Sequence, residues 1–139
     1  MAQELPVILV VERERGELRS PSRLLQERFK VVTCPVEAVA LEYVMESRPA
    51  AVLLDADTYY LEGAAIVERW SAASPGTRLI FVDTDGPYAL LMEPTLSESG
   101  EMAINPCAVE QIGSAVDELL GPDVRRKECQ DGRMAFLAV

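Results

Sequence analysis

Arg48-Pro49-Ala50-Ala51-Val52-Leu53-Leu54-Asp55-Ala56-Asp57-Thr58-Tyr59-Tyr60-Leu61-Glu62-Gly63 runs from a helix stop through an unbroken apolar stretch into an acid, and closes on glycine. Apolar residues from Ala51 to Leu54, with no polar alternation, predict a strand covered on both faces, as in a parallel sheet. After Gly63, Ile66, Val67 and Trp70 recur at helical spacing and predict a helix.

The same strand-then-helix grammar extends outward in both directions. Val7 to Val11 is a first strand, Lys30 to Cys34 a second, and Leu79 to Val82 a fourth that ends on Asp83. The first helix starts with Ser20 as N-cap and Pro21 at its first position, then buries Leu24, Leu25 and Phe29. A second runs from Val36 to Glu46 with Val36, Val39, Ala40, Tyr43 and Val44 on one stripe, and Pro49 stops it. Residues 87–99 are expected to supply a fourth helix, short or broken because Pro94 removes a hydrogen bond inside it. A fifth strand over Met102 to Ile104 and a helix from near Cys107 to Leu120, stopped by Gly121-Pro122, complete five rounds. Residues 1–121 thus read as one α/β domain, and 122–139 as a tail that either packs on the domain or serves self-association.

Bulk composition narrows the function. Across 139 residues, 13 basic and 23 acidic side chains leave a formal charge of -10, which repels nucleic acid and anionic membrane surfaces and suits a protein partner or a cation. No apolar run approaches the ~20 residues of a membrane span, and Glu4 and Pro6 precede the first strand where a secretory leader needs a basic and then a long apolar region. A cytoplasmic location is expected. With no histidine, and with Cys34, Cys107 and Cys129 far apart, the chain offers no Ser/His/Asp or Cys/His catalysis, disulfide framework or zinc site. Cys107, near a helix start, reads either as a low-pKa thiol or as a small buried side chain.

In an open parallel α/β sheet, ligands bind beyond the carboxyl ends of the strands, where the strand order reverses. Glu12 and Arg13 end the first strand, Asp55 the third, Asp83 the fourth, and Asn105-Pro106 the fifth. With strand order 2-1-3-4-5, Glu12, Arg13 and Asp55 share one pocket.

Over Leu5 to Leu120 the chain resembles a response-regulator receiver domain of the CheY-like superfamily, as an atypical, degenerate member. The resemblance rests on Arg48 to Gly63, on Ile8 to Val11 running into charge, and on a residue followed by proline after the fifth strand. It implies a flavodoxin-like (βα)5 doubly wound sandwich, a five-stranded parallel sheet of order 2-1-3-4-5, and Asp55 at the phospho-acceptor position. In the family two acids after strand one help to hold Mg²⁺, a hydroxyl residue follows strand four, and a lysine follows strand five. Here the second acid is Arg13, the hydroxyl position is Asp83 (or Thr84, if strand four shifts by one residue), and the lysine is Asn105. The aromatic position of the fifth strand is Met102, and Tyr59 stands where proline is common. The expected pocket around Asp55 is therefore Glu12, Arg13, Asp57, Asp83, Thr84, Asn105 and Pro106.

Arg13 has two readings. It either pairs with Asp55 and replaces the metal, or lies at the surface beside Glu14 or Glu17. In the first reading Mg²⁺ is disfavoured, because a fixed guanidinium stands where an oxygen ligand belongs; were a metal held, Glu12 and Asp55 would hold it. Three acids against one base already leave the pocket negative, and a phosphoryl group of about -2 would make it more so. The chain is accordingly expected to be a non-enzymatic pseudo-receiver working through protein contacts, with a histidine kinase or an output protein as partner. A homodimer through the face of helix four, strand five and helix five is a further expectation. The alternative is a working phospho-acceptor in which a histidine kinase phosphorylates Asp55. A flavodoxin-like enzyme or small-molecule binder lacks its Gly-rich phosphate loop here. The apolar segment Tyr88 to Met92 reads as core or as a partner surface.

Overall fold

The computed structural model describes residues 5–11, 21–95 and 101–131, without the side chains of residue 21 and of 122–131. It is an α/β fold. In chain order the elements are β1 (Val7–Val11), α1 (Pro21–Leu25), β2 (Lys30–Cys34), α2 (Glu37–Ser47), β3 (Ala51–Asp55), α3 (Ala56–Glu62) and α4 (Ala64–Ala73). There follow β4 (Arg78–Asp83), β5 (Ala89–Pro94), β6 (Met102–Cys107), a 3-10 turn (Val109–Gln111) and α5 (Ile112–Asp131). One six-stranded sheet has the order β2-β1-β3-β4-β5-β6.

The pairs β1 with β2, β1 with β3, and β3 with β4 are parallel. Helices cover both faces of this half, which is why its strands read as continuous apolar runs. Ile8, Val10, Leu53 and Ile80 point to one core with Leu25, Phe29, Ile112 and Val116. Leu9, Val52, Leu54 and Phe81 alternate to the other, with Ala40, Val44, Ile66 and Trp70. The expected stripe of α2 is buried only at Ala40 and Val44; Val36 and Val39 are more than half exposed, because the helix meets the sheet along a narrow seam.

The second half of the sheet departs from the all-parallel expectation. Where a broken fourth helix was expected, the chain forms β5, antiparallel to β4, and β6 then pairs antiparallel with β5. The sheet is therefore mixed and has one strand more than the five-stranded flavodoxin-like order. Helix four, part of the expected dimer face, is replaced by strand. Two features account for this. Asp83 Oδ1 accepts from the Asp85 N–H at 3.0 Å, which begins a tight turn through Asp85-Gly86-Pro87 too short to carry the chain across the sheet. Ala89, Leu91 and Met92 then find apolar cover on opposite faces of the sheet, Ala89 and Leu91 in the α1/α5 core and Met92 in the α2/α4 core. Arg78 and Glu93 close the β4 and β5 pair as a bidentate ion pair, with Nη2 to Oε1 at 2.6 Å and a second contact from Nε to Oε2.

Pro94 causes no break, because it is the last residue of β5. Its missing N–H falls beyond the β4 register, which ends at Phe81 opposite Met92. Pro106, expected to follow the fifth strand, lies inside β6 opposite Leu90, and no peptide bond among the described residues is cis.

Two helix boundaries sharpen the sequence reading. Gly63, at φ 62° and ψ -136°, separates α3 from α4, so the residues between Asp55 and Gly63 are helical rather than a loop. Gly121, at φ 75°, kinks α5 where Gly121-Pro122 was expected to stop it, and helical backbone resumes through Asp131. The apolar end of the tail, Met134 to Val139, lies outside the described residues.

Candidate functional site

The acids that end β3 and β4 converge at one corner. Asp55 closes β3 and is also the N-cap of α3, its Oδ1 accepting the Asp57 N–H at 3.0 Å. That contact explains why a helix starts immediately after the strand, since a carboxylate at the N-cap satisfies an otherwise orphan donor. Asp83 closes β4 and faces Leu90 of β5. One of its oxygens caps the turn at Asp85, and the other accepts the Tyr60 hydroxyl at 3.0 Å. Tyr60 reaches Asp83 from α3, with its oxygen 3.9 Å from Met92 Sδ. Beside it, the Tyr59 ring packs on Phe81 at a centroid distance of 5.2 Å and on Tyr60 at 6.3 Å.

Among the described residues, the charges at this corner have one sign. The Asp57 carboxyl titrates above its usual value chiefly because Asp55 is beside it, with burial, Asp85 and Asp83 adding to the effect. Every charge acting on Asp57 in that direction is another aspartate. The Tyr60 hydroxyl is likewise pushed up, first by loss of solvent, then by its hydrogen bond to Asp83 and by the charges of Asp83, Asp57 and Asp85. Two carboxylates are thus committed to local hydrogen bonds, and a negative field surrounds them.

The expected pocket is assembled only in part. Asp55, Asp57 and Asp83 come together, with Thr84 half-buried in the turn after β4. Asn105 and Pro106 do not join them. Asn105 pairs with Leu91, which pairs with Val82, which pairs with Asp55. It is therefore level with Asp55 but three strands away, about 14 Å at the usual ~4.8 Å strand spacing. Glu12 and Arg13 lie outside the described residues, as does Ser20. Among the described residues no group of three acidic or cysteine side chains is placed to hold a metal ion. Burial pushes the Cys107 thiol up, opposite to what a nucleophilic cysteine needs, and Cys34 Sγ donates to the Val36 carbonyl at 3.3 Å.

Tyr60 and Asp85 belong to this corner without having been given roles from sequence. Asp85 had a legible signal, since Asp-x-Asp-Gly between two apolar runs is turn chemistry. Tyr60 had none, because its partner is 23 residues away on β4. No protein-family model, curated protein or solved structure matches the chain.

Proposed function

We propose that the chain is a receiver-like signalling module, a degenerate member of the response-regulator receiver class, which acts through protein contacts and not through Mg²⁺-dependent phosphorylation of Asp55. The supporting half of the fold is the parallel β2-β1-β3-β4 arrangement, in which the order reverses between β1 and β3 and Asp55 ends β3. The observation that carries the reading is the insertion of antiparallel β5 beside β4. It moves the strand that would bring a phosphoryl-binding side chain one place farther out, and leaves Asp55 among Asp57, Asp83 and Asp85.

Phosphoryl transfer depends on positive charge that neutralises the transferring group. A corner in which Asp55, Asp83 and Asp85 together raise the proton affinity of Asp57 works against it. In this reading the module is not an enzyme, needs no cofactor, and works in the cytoplasm on an output protein or a histidine kinase. Its charge of -10 disfavours nucleic acid and membrane partners.

The test is incubation of the full chain with a small phosphodonor, with and without Mg²⁺, followed by intact mass. The expected result is no added phosphoryl group in either condition. A Mg²⁺-dependent gain of one phosphoryl group that disappears in Asp55→Asn would overturn the proposal and establish the phospho-acceptor reading.

A further inference from the structure

Among the described residues, the outer edge of β6 carries only one of the devices that normally keep a strand edge from pairing, Pro106 near its end. Edge strands are usually guarded by charge, by proline, by bulges or by cover from another element. The opposite edge of this sheet, β2, begins on exposed Lys30. By contrast β6, Met102-Ala103-Ile104-Asn105-Pro106-Cys107, has no charged residue, in a chain carrying -10. Its four central residues are exposed, Ile104 by 56%.

The backbone direction of each β6 residue follows from the register. Thr95 donates its N–H to the Glu101 carbonyl at 2.9 Å, which makes that pair a hydrogen-bonded one. Antiparallel pairs alternate, so Ala103, Asn105 and Cys107 direct their N–H and C=O groups to β5, while Met102, Ile104 and Pro106 direct theirs outward. The prolines agree with this phase: Pro94 and Pro106 both sit in pairs that exchange no hydrogen bonds across β5 and β6. The open edge therefore offers the N–H groups of Met102 and Ile104 and the carbonyls of Met102, Ile104 and Pro106.

We propose that β6 pairs antiparallel with β6 of a second copy of this chain, with the two-fold axis at Ile104, and joins two sheets into one. This inference rests on the sheet edge and is independent of the receiver reading. In that register the two Ile104 residues exchange both hydrogen bonds, and each Met102 N–H meets the Pro106 carbonyl of the other copy. Every outward N–H of the strand is then used, and the donors that proline lacks leave only the Met102 carbonyls over. Side chains meet as Ile104 on Ile104 and Met102 beside Pro106, so no like charges face each other within the strand. A self-complementary patch of this kind is what a two-fold dimer requires.

The experiment is sedimentation equilibrium of the full chain over a concentration series, with amide exchange at low and high concentration. A dimer is expected, with exchange at the Met102 and Ile104 N–H groups slowing as concentration rises. Ile104→Pro deletes an N–H that β5 does not use, and Ile104→Lys sets two like charges on the axis. Each is expected to raise the dimer dissociation constant by about tenfold or more while circular dichroism stays that of the wild type. A chain that is monomeric throughout the series overturns the proposal. So does a dimer whose Met102 and Ile104 amides exchange at the monomer rate, a readout that needs no variant to fold.

Discussion

Leu91→Ala tests the antiparallel strand on which the mixed sheet depends. Leu91 is fully buried in the core formed with α1 and α5, paired to Val82 on one side and Asn105 on the other. Truncation removes three carbons, worth about 2.4 kcal/mol at ~0.8 kcal/mol each, and the cavity left behind raises the cost to about 3 kcal/mol or more. Trp70 is the only tryptophan and packs in the opposite core, so its fluorescence reports global unfolding without being touched by the substitution. In urea the midpoint should fall by about 1.5 M, taking a slope of ~2 kcal/mol/M. Leu61→Ala, at a side chain 84% exposed, serves as the control and should cost less than about 0.5 kcal/mol. A Leu91→Ala loss below ~1 kcal/mol would refute the placement of residues 89–94 as a core strand.

Three further substitutions probe other parts of the molecule. Asp57 binds its proton more readily in the fold than at its ordinary 3.8, so its charge opposes folding at neutral pH, and the lost stability returns as pH falls through the folded value toward 3.8. Asp57→Asn should therefore melt higher than wild type at neutral pH, and that advantage should vanish in acid; a lower melting temperature at neutral pH would contradict the repulsion argument. Glu37→Ala takes Oε1 from Arg69 and from the Trp70 indole N–H, 3.2 Å away, and should destabilise by about 1 to 2 kcal/mol with a shift in Trp70 emission. An unshifted emission spectrum would show that the indole keeps another partner. Arg48→Gly relieves the left-handed conformation of Arg48, φ 46°, at the end of α2 and should raise stability by about 0.5 kcal/mol in thermal unfolding; a loss of stability would mean that its side chain contributes more than its backbone costs.

The legible and illegible parts of the candidate site divide along range of interaction. Asp55 and Asp83 were readable as strand ends, because each follows a buried apolar run and the polar residue that ends such a run must reach water. The Asp57 environment was readable in part, two residues from Asp55. Asn105 was misplaced because its position depends on how many strands lie between it and β3, which no local pattern records. Tyr60 was missed because its hydroxyl finds Asp83 only once α3 lies against β4.

By itself the sequence determined the α/β class, the strands β1 to β4, and the acids Asp55 and Asp83 at the ends of β3 and β4. These follow from short-range rules: continuous burial, proline and glycine punctuation, and the limited reach of a side chain from its own backbone. Only the tertiary structure decided the fate of Ala89-Leu90-Leu91-Met92-Glu93-Pro94. A run of six residues with good helix formers and one terminal proline satisfies either periodicity. What settles it is the open edge of β4, whose unpaired backbone groups and two apolar faces accept a strand that pairs with it over Leu90 to Met92 and buries residues on both sides. That choice moves β6 to the rim of the sheet, separates Asn105 from Asp55, and creates the uncharged edge at Ile104.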